Sequence, residues 1–229
     1  MAAFFASLVR FLCRIMPGLP PKLYFLNSLP ENAALLDMGC GNGSKFNQYL
    51  RIRNDFRLYG CDIVDYSGSA LRGVNFRIVN IQNEPLPWPD CTFDGIILNH
   101  VVEHLIRTEY AIRETYRVLK KNGRIYIATP SKKSTCYPSF KGWLGPKGGP
   151  INFFDDSSHI QAYSRHDLVM LLKTVGFSHI KTGPVRNILI VVIAPLLIII
   201  GFLIRKRDLA IVGIHQLAAW SIYATAEKI

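Results

Sequence analysis

Leu-Leu-Asp-Met-Gly-Cys-Gly-Asn-Gly, residues 35–43, is the stretch that decides the fold of this chain. The apolar run Ala33–Leu36 predicts a buried strand that ends at Asp37. A helical pattern starts at Ser44, and the loop before it contains three alternate glycines, Gly39, Gly41 and Gly43. Glycines permit positive φ and close approach of a ligand, and a helix N-terminus offers free N–H groups. We therefore expect a polar small molecule at the carboxyl end of this strand.

The glycine spacing and two carboxylates narrow the choice of ligand. Dinucleotide sites use G-x-G-x-x-G, whereas the spacing here is G-x-G-x-G. Asp37 would repel a pyrophosphate but could pair with the ammonium of an amino-acid moiety. A second strand, Phe56–Cys61, ends at Asp62, about twenty residues after the loop, where nucleotide-binding βαβ units place their ribose acceptor. The spacing therefore disfavours a nicotinamide-dependent oxidoreductase.

Further strand and helix patterns follow in order along the chain. Strands are predicted at residues 76–79, 95–98 and 123–130, with a helix at 110–119 that a basic segment and Gly123 would end. The segments Asn80–Asp94 and Asn99–Leu105 flank the fourth strand. Together with the glycine loop, this ordered set resembles the motifs of class I S-adenosylmethionine (SAM)-dependent methyltransferases, in particular the small-molecule enzymes of type 11. The resemblance covers roughly residues 30 to 130.

The resemblance implies an α/β fold: a three-layer, Rossmann-like sheet of seven strands with the last strand antiparallel, in one domain over residues 19–229. It also implies SAM as the cofactor. The family usually has Asp after the third strand, where it accepts a hydrogen bond from the adenine amino group. In this sequence Asn80, or alternatively Gln82, stands at that position. An amide carbonyl can still accept that hydrogen bond. The residues expected to bind SAM are Asp37, Gly39, Cys40, Gly41, Gly43, Asp62, Ile63, Asn80, Ile81 and Asn99.

Three histidines are the candidate catalytic residues. His100 and His104 are four apart at the start of a predicted helix after the fourth strand, which would put them on one face. His159 lies in a segment that resembles the one folding over the acceptor pocket in related enzymes. A histidine can act as general base for an oxygen acceptor, although a packing or capping role is the alternative for each. No metal is expected, because the pattern is not His-Glu-x-x-His and no third ligand is evident.

Composition bounds the class of protein. The 229 residues suit one domain, and five cysteines without C-x-x-C spacing indicate a reduced setting without zinc or disulfides. Lys and Arg outnumber Asp and Glu by 27 to 16, a net charge of +11, which suits an anionic partner. Arg51, Arg53 and Arg57 cluster after the first helix. Because no stacking aromatics interleave with the basic residues, we expect a membrane surface rather than RNA, and no DNA partner.

Ile188–Ile204 is an apolar run of 17 residues between the predicted sixth strand, 178–182, and the seventh, 221–228. At 1.5 Å per residue it would be about 25 Å long, less than a hydrocarbon core of about 30 Å. A single crossing would also separate two strands of one sheet, and basic residues flank the run on both sides. With Pro195 expected to break or kink the helix, residues 187–220 are predicted to form an interfacial or re-entrant hydrophobic hairpin whose second helix is 209–220.

Residues 1–18 are predicted to form an amphipathic helix, either on a membrane surface or packed on the domain. The chain is therefore expected at the cytoplasmic face of a membrane, peripheral or monotopic. The preferred function is SAM-dependent methyl transfer to a small, lipid-like or lipid-linked acceptor at the membrane surface. The alternatives are an RNA methyltransferase and a non-catalytic, membrane-held SAM-binding protein.

Overall fold

The computed structural model describes residues 18–66, 73–139 and 150–229. The predicted amphipathic helix of residues 1–18 lies outside this part of the chain except for its last residue. The described residues form one sheet with helices on both faces, so the structure tests the predicted strands and the layers around them.

Seven strands form the sheet in the order β3-β2-β1-β4-β5-β7-β6. β7 runs antiparallel to both of its neighbours, while the remaining pairs are parallel. The predicted seven-stranded architecture is therefore confirmed. The strands are β1 Ala34–Met38, β2 Arg57–Asp62, β3 Asn75–Ile78, β4 Phe93–Asn99, β5 Leu119–Pro130, β6 Ser178–Pro184 and β7 Ser221–Glu227.

Six α-helices accompany these strands in the described residues: α1 Pro21–Ser28, α2 Phe46–Ile52, α3 Thr108–Val118, α4 Arg165–Val175, α5 Ile188–Leu203 and α6 Arg207–Ala218. Leu35 of β1 packs with α1 and α2 on one face, while Leu36 packs with α3 and α4 on the other. The central strands therefore bury side chains on both faces, which explains why they are continuous apolar runs and not alternating ones. Short 3₁₀ helices lie at Val102–His104, Lys132–Cys136 and Phe153–Asp155.

Tertiary pairing changes one predicted helix end. The sequence predicts that α3 runs to Leu119 and ends over the basic segment before Gly123, but the helix ends at Val118. Leu119 is already extended and pairs with Phe93 of β4, so β5 begins directly after the helix. By contrast, α4 begins and ends where its local sequence directs: Ser164 and Asp167 form a capping box, and Gly176 adopts φ +107°.

α5 and α6 form a hairpin between β6 and β7. Two glycines let their backbones approach closely: a Cβ at Gly201 would lie 2.6 Å from the backbone nitrogen of Ala210, and one at Gly213 would lie 2.8 Å from the carbonyl oxygen of Ala194. Of the two effects expected at Pro195, a break does not occur, because α5 continues through this residue to Leu203, whereas a kink stays a prediction. Among the described residues, no helix combines the length and the apolar character that a membrane crossing requires.

Candidate active site at the carboxyl edge of the sheet

The glycine loop connects β1 to α2 and is held by its neighbours. The N–H groups of Gly39 and Cys40 donate to the carbonyl oxygen of Cys61 at 2.8 and 3.1 Å. Gly39 has φ +71°, and a Cβ there would lie 2.5 Å from Val101 Cγ2, so the loop packs against the segment after β4. Gly41 has φ +54°, yet a Cβ there would meet no atom within 4 Å. Gly41 therefore presents bare backbone to open space, as close approach of a ligand requires.

The helix that follows differs from its prediction. α2 begins at Phe46, two residues after Ser44, and has only seven residues. Asn42 accepts a hydrogen bond from the N–H of Ser44 at 3.2 Å, so these residues belong to the turn. The Asx turn delays the helix, because it offers the backbone an alternative partner.

Asp37 is a buried carboxylate at the end of β1, only 4% exposed. Burial raises its pKa to about 6, and the hydroxyl of Tyr49, which donates to Oδ2 at 2.9 Å, opposes this only in part. The ammonium of Lys22 lies close enough to act on Asp37 and donates to Asn99 Oδ1 at 3.3 Å; burial lowers the pKa of Lys22. A further cation beside Asp37 would relieve the cost of this buried charge.

Asp62 ends β2 and fixes the glycine loop from the other side. Its Oδ2 accepts from the N–H of Gly41 at 2.9 Å, and its Oδ1 accepts from the N–H of Val64 at 3.1 Å. Each carboxylate oxygen retains a further lone pair for a ligand hydroxyl. The neighbouring Ile63 is 61% exposed and offers an apolar surface beside this carboxylate. The buried acid suits the ammonium of SAM, the second acid suits its ribose hydroxyls, and the apolar surface suits its adenine. The bare glycine backbone leaves room for the ligand to approach.

The two candidates for the adenine contact already have partners. Asn80 Oδ1 accepts from the N–H of Gln82 at 3.2 Å, and Gln82 Oε1 accepts from the N–H of Ile106 at 2.7 Å. Ile81 between them is buried. All three follow β3 at the same edge of the sheet, and their contact with adenine stays a prediction.

The cysteines at this edge are structural. Burial raises the pKa of the Cys40 thiol to about 12 and also raises that of Cys61. Both side chains therefore remain protonated at neutral pH, so neither is a reactive thiolate, and the contact of Cys40 with the cofactor stays a prediction.

The helical placement of the histidines is wrong. His100 has φ +58°, the following 3₁₀ helix has three residues, and α3 begins only at Thr108. His100 and His104 therefore do not share a face of an α-helix. His100 instead places Nδ1 3.1 Å from Oε1 of Glu103 and stacks its ring on Trp220, with 5.8 Å between ring centroids.

His104 and His159, by contrast, lie together, with ring centroids 4.9 Å apart. Between them the structure adds a residue that the sequence interpretation missed. Glu103 is fully buried, and its Oε2 accepts from the hydroxyl of Thr129 at 3.0 Å. One potential ligand atom from each of Glu103, His104 and His159 lies within 4.8 Å of the other two. The sequence does not predict this grouping, because His159 is distant in the chain from Glu103 and His104.

Comparison with known proteins places these features in a family. The family described as a methyltransferase domain matches residues 10–182. The chain is 30% identical over 139 residues to the ubiquinone/menaquinone biosynthesis C-methyltransferase UbiE of Enterobacter sp. (strain 638), covering 55% of each protein. It is 31% identical over 106 residues to a tRNA (carboxymethyluridine(34)-5-O)-methyltransferase, alkbh8, of Xenopus tropicalis, covering 45% of this chain and 16% of that protein. The chain thus spans only part of the curated relatives it matches.

A solved structure shares the fold across almost the whole chain. It is that of a SAM-dependent methyltransferase from Archaeoglobus fulgidus, with a TM-score of 0.57 and 20% identity, over 97% of this chain and 94% of that one. At this identity the likeness supports the fold alone.

Gly41 provides the first test of the cofactor site. We expect Gly41→Ala to weaken SAM binding at least about tenfold, because the new methyl group would fill the open space beside the loop. Gly73→Ala is the matched control, since Gly73 also has a positive φ, +81°, and no atom within 4 Å of a built Cβ. Both changes carry similar backbone strain, about 1–2 kcal/mol. Calorimetry showing equal SAM affinity for the two variants would contradict the site.

We expect Asp37→Asn to weaken SAM binding and to raise the free energy of unfolding. The folded-state pKa of Asp37, about 6, exceeds its ordinary 3.8, so ionising it in the cofactor-free fold costs about 3 kcal/mol above pH 7. The free energy of unfolding of the variant, measured in urea, should exceed that of the wild type by up to that amount at pH 8 and by almost nothing below about pH 3, where Asp37 is neutral in both the folded and the unfolded chain. The variant should also lose at least about tenfold in SAM affinity. If the variant had a lower free energy of unfolding than the wild type at pH 8, ionised Asp37 would not destabilise the cofactor-free fold as expected.

Proposed function

This chain belongs to the methyltransferase domain family, and we propose that it is a SAM-dependent methyltransferase that acts on a small, lipid-like or lipid-linked acceptor at a membrane surface. The observation that carries the proposal is the α5–α6 hairpin, which exposes apolar side chains and returns to the sheet beside the candidate active site. The chain would then lie at the cytoplasmic face of a membrane.

The outer face of α5 is apolar and has no partner among the described residues. Its most exposed members recur at helical spacing: Val192, Leu196, Ile199 and Leu203 are 73%, 56%, 57% and 77% exposed. The turn after α5 carries the exposed cations Arg205, Lys206 and Arg207. An apolar stripe that ends in a cationic turn is typical of helices that lie in the interface of an anionic bilayer.

Trp220 joins this hairpin to the site. Its ring stacks on His215 of α6, with 4.4 Å between centroids, and on His100 after β4. Its carbonyl oxygen accepts from the N–H of Ser131 at the end of β5, at 2.7 Å. An acceptor that arrives along the hairpin would therefore reach the sheet at the edge that holds the histidines.

In this proposal the residues at the carboxyl edge of the sheet bind the cofactor and orient the acceptor. Asp37 pairs with the cofactor ammonium, Asp62 accepts from the ribose hydroxyls, and Ile63 with Asn80 and Ile81 borders the adenine. SAM supplies an electrophilic methyl group on a sulfonium. Holding an acceptor in line with that group would provide much of the rate, and His104, His159 or His100 would take a proton from an acceptor hydroxyl.

RNA is the second candidate acceptor. The relative from Xenopus tropicalis is by name a tRNA methyltransferase, so the expectation that RNA is not a partner finds no support in the relatives. The net charge of +11 also suits RNA. One of the clustered arginines is used internally, however: Arg53 is buried, pairs with Asp55 and donates to the carbonyl oxygens of Leu29 and Pro30 at 2.6 and 2.7 Å.

Vesicle sedimentation tests the hairpin. The protein should sediment with anionic phosphatidylglycerol vesicles, and Val192→Asp with Ile199→Asp should weaken this at least about tenfold, because charged groups are costly in hydrocarbon. The control pairs Met170→Asp with Ile229→Asp, two exposed apolar positions off the hairpin. Both double variants should keep SAM affinity.

Incubation with labelled SAM then separates the candidates. Label in the lipid extract but not in bulk tRNA is the expected result. Label in tRNA, or equal sedimentation of both double variants, would contradict the membrane proposal. Label in neither, with intact SAM binding, would favour a non-catalytic SAM-binding protein.

A further inference from the structure

The hydrogen bonds of His159 fix which ring nitrogen is free. Its Nδ1 lies 2.7 Å from the carbonyl oxygen of Phe153, and since a carbonyl only accepts, Nδ1 carries the proton. In the neutral ring, Nε2 then has its lone pair available. The side chain is only 4% exposed, and the nearest carboxylate to Nε2 is that of Asp156, at 3.8 Å.

The same argument applies to His104. Its Nδ1 lies 3.1 Å from both the carbonyl oxygen and the hydroxyl of Ser158. That hydroxyl has one proton, which it donates to Asp156 Oδ1 at 2.5 Å, so both Ser158 oxygens accept from His104. His104 therefore also holds its proton on Nδ1 and offers Nε2.

Histidines that bind a metal usually donate their second N–H to a backbone carbonyl or a carboxylate, which fixes the ring and its tautomer. His104 and His159 both meet this condition before any ligand is present. The third member, Glu103, is a fully buried carboxylate held by Thr129 and His100. A buried carboxylate is normally paired or bound to a metal, and the hydroxyl and imidazole beside it leave further lone pairs open.

The three side chains come from two separate segments of the chain, and backbone hydrogen bonding joins these segments. The N–H of Ile160 donates to the carbonyl oxygen of Glu103 at 2.8 Å, so the His159 segment is fastened directly to the turn after β4. That turn also contacts the cofactor loop, since Val101 packs against Gly39. The cluster therefore lies beside the expected SAM site at the carboxyl edge of the sheet.

We propose that Glu103, His104 and His159 bind one divalent first-row metal ion and that this ion holds a hydroxyl group of the acceptor. Two imidazoles and one carboxylate form the ligand set of catalytic zinc sites, which keep a position open, and also suit Mn²⁺, Fe²⁺ and Co²⁺. Of these, Zn²⁺ should bind most tightly.

The open position determines the class of acceptor. A metal-bound hydroxyl loses its proton near neutral pH, with the proton passing to water, and leaves an oxygen nucleophile at the carboxyl edge. This second part rests on the proposed methyl transfer, whereas metal binding itself does not. The methylated atom would accordingly be oxygen: its lone pair would form the bond to the methyl carbon while the carbon–sulfur bond of the sulfonium breaks, leaving S-adenosylhomocysteine.

Metal binding can be measured on the full chain without SAM or acceptor. After treatment with a chelator, the protein should bind one Co²⁺ with visible d–d absorption, and Zn²⁺ should displace it. His104→Gln and His159→Gln should each weaken Zn²⁺ binding at least about a hundredfold, as should Glu103→Gln. His179→Gln, at a 69% exposed histidine on β6, should bind as the wild type does. SAM affinity, measured in parallel, should be retained in all four variants and reports that each is folded.

Acetohydroxamate, a small bidentate oxygen ligand, then probes the open position. It should change the Co²⁺ spectrum of the wild type. An unchanged spectrum would overturn the acceptor part of the inference. Absent or non-saturable Co²⁺ binding, or equal Zn²⁺ affinity in the wild type and the two histidine variants, would overturn the metal site. Failure of the wild type to bind SAM while it binds Co²⁺ would count against the proposed function alone.

Discussion

The buried carboxylate of Asp37 is the constraint on which the rest of the site depends. An apolar strand covered on both faces ends in an acid, and burial makes its charge expensive. Tyr49 and Lys22 offset only part of that cost. The strand order reverses at this point, between β1 and β4, where a crevice forms and doubly wound sheets bind their ligands. A cationic cofactor at this position would stabilise the ionised form of Asp37 further.

The glycine loop and Asp62 show how the site is formed in advance. Asp62 holds the N–H of Gly41, and Gly39 packs against Val101, so the loop conformation is set by protein contacts. Binding then costs little ordering, which is the advantage of a preorganised site. The α5–α6 hairpin is joined to the same edge through Trp220. The expected cofactor site, the histidines and the hairpin therefore all lie at the same edge of the sheet.

Local patterns were sufficient for much of this architecture. The strand before Asp37, the second acid at Asp62 and the capped helix from Arg165 follow from apolar periodicity, strand ends and capping residues. The conformation of His100 and the end of α3 could not be predicted, because a positive φ and the pairing of Leu119 with Phe93 are tertiary effects. The grouping of Glu103 with His104 and His159 could not be predicted for the same reason, because His159 lies close to them only once the sheet has formed.

Hydrogen–deuterium exchange with S-adenosylhomocysteine, the demethylated cofactor, measures where the cofactor binds. The ligand should slow exchange in residues 37–43 and 62–64, which surround Asp37 and Asp62, while the amides of α6 exchange as before. Slowed exchange confined to other parts of the chain, with the glycine loop unchanged, would contradict the placement of the cofactor at this edge.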